Sequence, residues 1–512
     1  MADKLPDATR YALFASALGT GMVYLDQSAV AVALPAIQQG LGLEVSDLQW
    51  IMSLYMLFLT TPLLIFGVLG DRHGRVRLYI SGLICFGCGS LICGLAGNLG
   101  ILLVARALQG LGASMMIAVG LAILNANTPR EIRGRVIGAW ASLTSLVIAF
   151  GPALGGFVVD AASWRLVFAI NTPMALIAIT IALWKLPESH SLVDDNSVGV
   201  IDTAADAPSV LLLIVGLGTI LLGLIEGPRF GWSLWIMLCL VVGLVLVGLF
   251  IARQRIATAP LIPAALFRHR VFAGINAVTL LLWLTIGAFF FFMPINLQQI
   301  QGFSATQSGL AILPVSLSVL IFSRFSGKLS DRFTAMPLIV IGIINMGVGL
   351  ALFAHLQYVE NYVRQLLPAT LLFGVGLGLL VAPLTHVAMN ALSDRHSGLA
   401  SGVNNSASRL SSMLAVALFG SLMVSQFTAD LGPRLLDLQL DPATMAAIMG
   451  NARDLGAMKV PVNLSAATTA SIDASIDAAF FSAWKTVMWL CVAVCVISAV
   501  LAFLVLKKPR TN

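Results

Sequence analysis

Fourteen uninterrupted apolar runs, each about 20 residues long, limit what this chain can fold into. They lie near 11–34, 47–69, 78–97, 99–124, 136–159, 164–185, 208–226, 232–252, 271–296, 305–326, 336–355, 365–388, 398–424 and 482–506. A helix rises 1.5 Å per residue, so about 20 residues cross the ~30 Å hydrocarbon layer of a bilayer. A transmembrane barrel would instead show alternating segments of about ten residues. Composition agrees: 59% of residues are hydrophobic and only 10% charged, with a mean hydropathy of +0.95. A soluble chain carries about a quarter charged residues. The expected fold class is an all-α polytopic membrane protein with 14 transmembrane helices.

Charge sets the orientation. With a cytoplasmic N-terminus, the inner loops hold Arg72, Arg75, Arg77, Arg130, Arg133, Arg135, Arg253, Arg255, Arg268, Arg270, Lys328, Arg332 and Arg395. The C-terminal tail adds Lys507, Lys508 and Arg510, whereas the outer side keeps only a scatter of bases such as Arg165, Arg229 and Arg453. Positive loops face the cytoplasm, so both termini are expected there. The net charge of +6 is then a topology signal rather than a nucleic-acid-binding stripe. The six cysteines all fall in apolar runs and read as small core residues. Cys85 and Cys88 have redox spacing but no basic neighbour to activate a thiolate. The first ten residues are polar and the next run is long enough to span, so no cleavable signal peptide is expected.

Two stretches are too polar to cross: an acidic linker at 187–207 and an outer loop at 425–481. Within the loop, Pro442 to Met458 is compatible with helix, and the Ala/Ser/Thr-rich end can pack as a helix outside the membrane. "GVLGDRHGR" after the second run recurs as "GKLSDRF" after the tenth, with Asp71 and Asp331 260 residues apart. Six spans with loops need roughly 200 residues, so the excess accommodates two inserted spans. The expected organisation is a six-span bundle (1–186), a linker (187–207), two inserted spans (208–252), a cytoplasmic loop (253–270) and a second six-span bundle (271–512). Parallel repeats of this kind belong to carriers that rock about a central site.

One residue breaks the apolar pattern early. Asp26, in "LDQSAVAVALP", sits deep inside the first run, where a carboxylate costs on the order of 3 kcal/mol to insert. Such a residue binds a proton or cation, lines a cavity, pairs with a base, or is a structural polar group satisfied by neighbouring helices.

The sequence resembles the major facilitator superfamily, and within it the fourteen-span drug:proton antiporter branch that includes quaternary-ammonium-compound resistance exporters. Five stretches in register carry the resemblance: "LDQSAVAVALP", "GVLGDRHGRVR", "ARALQGLGAS" (105–114), "GPALGG" (151–156) and "WRLVFAINTP" (164–173). It implies the major facilitator fold, two six-helix bundles plus two inserted spans. It also implies an intramembrane arginine at Arg106. Conformational gating is expected at Gly67, Asp71, Arg72, Gly74 and Arg75, at Asp331 and Arg332 of the repeat, and at Gly151, Pro152, Gly155 and Gly156. The physical reading is compatible. A charged clasp at helix ends holds one access state and breaks in the other, while Pro152 and the glycines permit bending and close approach.

Depth relates the acid to the base. Asp26 lies ~22 Å along an outward span and Arg106 ~10 Å along an inward one, which puts them at similar depth. Pairing is geometrically open, and proton coupling is expected to rest on Asp26 tuned by Arg106. Candidate cavity residues are Gln27, Trp50, Tyr55, Gln109, Asn276, Phe289 to Phe292, Asn296, Asn404 and Arg409. Two features depart from the branch. The later spans show no clear intramembrane acid, and "NNSASRLSS" puts Ser411 and Ser412 where glycines are usual, against close helix packing. Arg324 reads as snorkelling to the inner surface. Glu226 reads as water-facing.

The leading expectation is therefore a proton-coupled antiporter exporting amphipathic cationic or neutral lipophilic compounds. Export of an endogenous metabolite or lipid-like anion is the alternative within transport, and a non-transporting membrane sensor the one outside it. Scattered histidines form no triad or metal cluster, so an enzyme is not expected. With no phosphate-binding loop, no cofactor is expected and the energy source is the proton gradient. Expected partners are a small-molecule amphiphile, protons and the lipid bilayer, with no nucleic acid. In a double-membrane bacterium a periplasmic adaptor is added, and the location is the bacterial cytoplasmic (inner) membrane.

Overall fold

The computed structural model describes residues 5–187, 203–257, 260–332, 334–392, 397–461 and 464–507. In chain order the helices are α1 (Asp7–Leu41), α2 (Val45–Thr60), α3 (Leu63–His73), α4 (Arg75–Leu95), α5 (Leu99–Ala126) and α6 (Arg133–Ala161). They continue as α7 (Trp164–Ala169), α8 (Asn171–Lys185), α9 (Thr203–Phe230), α10 (Leu234–Ile256), α11 (Arg270–Ile295) and α12 (Ala305–Arg332). The last are α13 (Ala335–Ala354), α14 (Leu367–Asn390), α15 (Ser397–Asp437), α16 (Pro442–Gly450) and α17 (Ala466–Leu506). Among the described residues, 13 helical stretches are long and apolar enough to cross a membrane, and α2 with α3 makes a fourteenth crossing bent by 43°. The crossings match the fourteen apolar runs in order. This is an all-α, multi-pass membrane protein.

Among the described residues one crossing is sharply bent and another lacks a backbone hydrogen bond, each beside a proline. Between α2 and α3, Pro62 has no N–H to donate and its ring crowds the preceding turn. The Thr61 hydroxyl bonds the Leu57 carbonyl there at 2.7 Å. Between α7 and α8 the backbone stays helical at Ile170 (φ −56°, ψ −33°), but Pro173 cannot donate to the carbonyl four residues back.

The expected outer loop at 425–481 is mostly helix. α15 runs on to Asp437 and α17 begins at Ala466, with α16 and a short 3-10 turn (Ala452–Ala457) between them. Polarity keeps this sequence out of hydrocarbon without preventing helix. Asp441 caps α16 by accepting from the amides of Ala443 (3.1 Å) and Thr444 (2.9 Å). Of the expected linker at 187–207, residues 188–202 lie outside the described residues.

The chain forms two compact units. The first comprises Met1–Ala33, Ile51–Ile220 and Leu238–Ala264; the second comprises Leu34–Trp50, Leu221–Met237 and Ala265–Asn512. Each has the same tight crossing at its heart. In the first, a methyl on Gly112 of α5 would meet the Gly82 carbonyl of α4 at 2.6 Å. In the second, a methyl on Gly376 of α14 would meet the Gly342 carbonyl of α13 at 2.5 Å. Only glycine lets the backbones approach so closely. The register continues along each pair: Gly89 faces the Gln109 amide and Gly349 faces the Phe373 amide. The loop-motif repeat thus extends into the packing, and it makes Phe373 the counterpart of Gln109.

Candidate functional site

The site lies inside the first unit, where α1, α2, α4, α5, α7 and α8 converge on Asp26. Asp26 and Arg106 are both fully buried, with Arg106 Nη1 2.5 Å from Asp26 Oδ2. Two further donors reach the other carboxylate oxygen: Gln109 Nε2 at 3.0 Å and Asn171 Nδ2 at 3.0 Å. Ser90 Oγ accepts from the same two amides, at 2.6 Å from Gln109 and 3.0 Å from Asn171. Gln109 Oε1 closes the ring by accepting from Arg106 Nη1 at 2.9 Å. Every named partner presents an N–H to Asp26.

Arg106 is held from several sides. Its Nε donates to the Ile51 carbonyl at 3.2 Å, and its guanidinium lies 4.1 Å from the centre of the Tyr55 ring and 5.9 Å from that of Phe168. A cation over an aromatic face in a desolvated site gains about 2 kcal/mol. Nη2 of Arg106 and Oδ1 of Asn171 are buried without a hydrogen-bond partner. Such orphans are expensive in a packed interior, and they give this polar nest capacity for rearrangement.

The backbone explains how these groups meet. α5 presses against α2 where a methyl on Gly110 would lie 2.5 Å from the Tyr55 carbonyl, which sets Arg106 and Gln109 against Tyr55. "GPALGG" belongs to α6 and packs on the turn of α1 next to Asp26. A methyl on Gly155 would meet Ala29 Cα at 2.6 Å, and one on Gly151 would collide with Ser28 Oγ. Pro152 stands between them, and Gly156 is buried. The hydrogen bond missing at Pro173 lies two residues from Asn171. Two distortable helix segments therefore abut the carboxylate.

The structure brings Asp26, Arg106, Tyr55 and Gln109 together. Gln27 lies on the same helix, half-buried, with its amide 3.9 Å from Met56 Sδ. The reading from sequence missed Ser90 and Asn171. Asn171 stood inside the quoted "WRLVFAINTP", but a lone amide or hydroxyl in a span reads as packing until its partner is known.

Other candidates lie in the second unit. Trp50 donates its indole N–H to Glu226 at 2.9 Å at the outer end, where outer follows the charge bias. Glu226 is not water-facing, because its side chain is only 14% exposed. Asn404 donates to Asn276 Oδ1 at 3.2 Å and to Thr279 at 2.9 Å, joining α15 to α11. Arg409 is half-buried on α15, and Arg324 is exposed on α12. Phe292 and Asn296 are fully buried, the latter opening a π-helical turn (Asn296–Ile300). Phe289 stacks on Phe373 at 4.2 Å, so the counterpart of Gln109 meets an aromatic ring where Gln109 meets a carboxylate. Ser411 and Ser412 do not loosen the packing. Their hydroxyls bond the carbonyls of Leu280 and Trp283 on α11, and a methyl on the facing Gly287 would lie 2.8 Å from Ser412 Cα.

In the loop motif, Arg75 Nε bonds Asp71 Oδ1 at 2.7 Å across Gly74, whose φ of 105° suits glycine. Arg72 is exposed beside them, and Gly67 lies in open space on α3. The side chains of Asp331 and Arg332 lie outside the described residues.

Comparison with known proteins decides the family. Residues 16–416 match the model of the Major Facilitator Superfamily. The chain belongs to that superfamily. Among its relatives, the multidrug resistance protein Stp of Mycobacterium tuberculosis is 31% identical over 434 residues, covering 84% of this chain and 79% of Stp. The puromycin resistance protein pur8 of Streptomyces alboniger is 31% identical over 416 residues, covering 80% of this chain and 81% of its own. The fold resembles the crystal structure of a bacterial homolog of the human lysosomal transporter Spinster, with a TM-score of 0.67 at 15% identity, covering 98% of this chain and 97% of that one. This superfamily member is thus a multi-pass membrane protein of a transporter family.

Proposed function

We propose that this carrier exports amphipathic compounds, cationic or neutral, in exchange for protons, with Asp26 as the proton-carrying group and Arg106 as its partner. The observation that carries the proposal is the fully buried Asp26–Arg106 pair within a ring of amide and hydroxyl groups. A carboxylate so deep is compensated only while Arg106 stays in place. When helix movement draws Arg106 or Asn171 away, the uncompensated charge takes up a proton rather than remain buried alone. Return of Arg106 displaces that proton. Bending at Pro152 and at Pro173 acts on the two helices that touch the site, which links proton movement to access.

The relatives named for multidrug and puromycin resistance support drug efflux as the transport task. The glycine crossings repeated in both units support two related six-span bundles, with α9 and α10 inserted. The charge bias supports residence in the bacterial cytoplasmic membrane with both termini inside. On this reading the chain needs no cofactor and performs no covalent chemistry. A periplasmic adaptor applies only in a double-membrane bacterium.

The test uses inverted vesicles carrying an imposed proton gradient and a panel of lipophilic cations and neutral amphiphiles. At least one compound should accelerate collapse of the gradient with the wild type and not with Asp26→Asn. Full substrate-driven proton flux in Asp26→Asn would remove Asp26 from the mechanism.

A further inference from the structure

The outer end of the second unit carries a set of charges that the proton site does not use. They gather around the short 3-10 turn Ala452–Ala457, the tip of the segment between α15 and α17. Arg453 touches two elements at once. Its Nη1 lies 3.9 Å from Glu44 in the turn between α1 and α2, and its Nη2 donates to the Arg229 carbonyl at the end of α9 at 3.1 Å. Arg229 in turn lies 3.9 Å from Glu44 and 3.7 Å from Glu226, whose other oxygen takes the Trp50 indole. The Asp454 carbonyl accepts from Gln38 of α1 at 3.3 Å, and Gln38 accepts from Gln299 of the π-helical turn at 2.8 Å. The turn is a strap across the outer ends of α1, α2, α9 and α11.

The strap is under strain. Leu455 holds φ of 53° and ψ of −126°, a conformation that a branched side chain resists, and its side chain is completely buried. At Gly456 an added methyl would lie 2.6 Å from the tip of the Ile300 side chain, so the strap packs closely on the side chains of the π-helical turn. A strained, tied-down tip stays docked only while its contacts outweigh the strain.

The Asp454 side chain is the weak point. It is half-buried and feels Glu44 and Asp47 as like charges, with Lys459 as the nearby cation, and its carboxyl is pushed up to about 6, chiefly by burial and then by those two acids. Other charged groups near the strap have partners of their own. Asp47 accepts from the Glu44 amide at 3.0 Å, Arg434 of α15 is held by Asp430 at 3.1 Å, and Asp477 of α17 by the Tyr358 hydroxyl. Asp473 lies one turn before Asp477 on α17.

We propose that the strap is a proton-operated closure of the outer end, docking when Asp454 takes up a proton and loosening when it is charged beside Glu44 and Asp47. A docked carboxyl that binds its proton more tightly than a hydrated one makes docking more favourable as pH falls through about 6, and less so as pH rises. The direction fits the proton-coupled reading on which its physiological meaning rests. Protons arriving from outside after substrate release close the outer end, in addition to whatever Asp26 does.

Hydrogen exchange of the full-length protein in lipid nanodiscs, corrected for intrinsic rates, tests this without substrate or gradient. A failure here is therefore distinct from a failure of the transport reading. Protection of residues 452–457 should rise between pH 8 and pH 5 by up to about tenfold, the change that a carboxyl pushed up to about 6 allows over that range. Asp454→Asn should be protected at pH 8 and flat across the range, and Arg453→Ala should lose protection at every pH. Wild-type protection that does not change with pH, an Asp454→Asn variant with the wild-type profile, or full protection in Arg453→Ala would each overturn the proposal.

Discussion

Removing Arg106 while leaving Asp26 in place tests the logic of the site most directly. Both side chains are fully buried and 2.5 Å apart, so Arg106→Leu keeps an aliphatic stem but strands a carboxylate away from water. Breaking a buried pair from one side costs about 3–5 kcal/mol. Two amide donors, Gln109 and Asn171, remain on Asp26 and keep the loss near the lower end, about 3 kcal/mol. Asp26→Asn strands the guanidinium instead and should cost a similar amount, softened by the Tyr55 ring at 4.1 Å. The double variant leaves no unpaired charge and should cost at least about 2 kcal/mol less than the sum of the singles. Equilibrium unfolding in mixed micelles, read by the fluorescence of the nine tryptophans, measures all four corners of the cycle. Arg106→Leu within about 1 kcal/mol of wild type, or singles that simply add, would refute the claim that the two charges stabilise each other in the interior.

The other predictions concern the surroundings of that pair. Asn171→Ala removes donors to both Asp26 and Ser90 and should cost about 2–3 kcal/mol in the same assay, with a matching loss of substrate-driven proton flux; unchanged stability and flux would make Asn171 a bystander. Gly110→Ala places a methyl 2.5 Å from the Tyr55 carbonyl and should destabilise by about 1–3 kcal/mol, whereas alanine at Gly67, in open space, should not, as comparison of folded yields and melting temperatures will show. Asp441 holds its carboxyl below the ordinary value through hydrogen bonds from Thr444, so its contribution to α16 is present above that ordinary value and lost as pH falls through the lowered one. Asp441→Ala should therefore fray the first turn of α16 at neutral pH, and hydrogen exchange should show the difference shrinking toward strong acid.

The sequence by itself determined the class of molecule and the number of crossings, because bilayer thickness converts run length directly into span count. It also placed Asp26 and Arg106 at matching depth, since the rise along a helix is constant. Depth on separate helices says nothing about the angle between side chains, so the contact itself awaited the packing of α5 against α2 through Gly110 and of α6 against α1 through Gly155. Ser90 and Asn171 belong to the nest because α4 and the α7–α8 crossing face Asp26, a relation between residues 64 or more positions apart with no local signature. For the same reason Trp50 turned out to serve the outer charge cluster, and Ser411 and Ser412 to bond across to α11 rather than hold it away. The polar stretch after span thirteen could be excluded from lipid by composition, yet only its contacts made it a strap, because an ion pair is set by where two chain segments meet. Hydropathy fixes which segments must leave water; which polar groups then find one another is settled by tertiary packing alone.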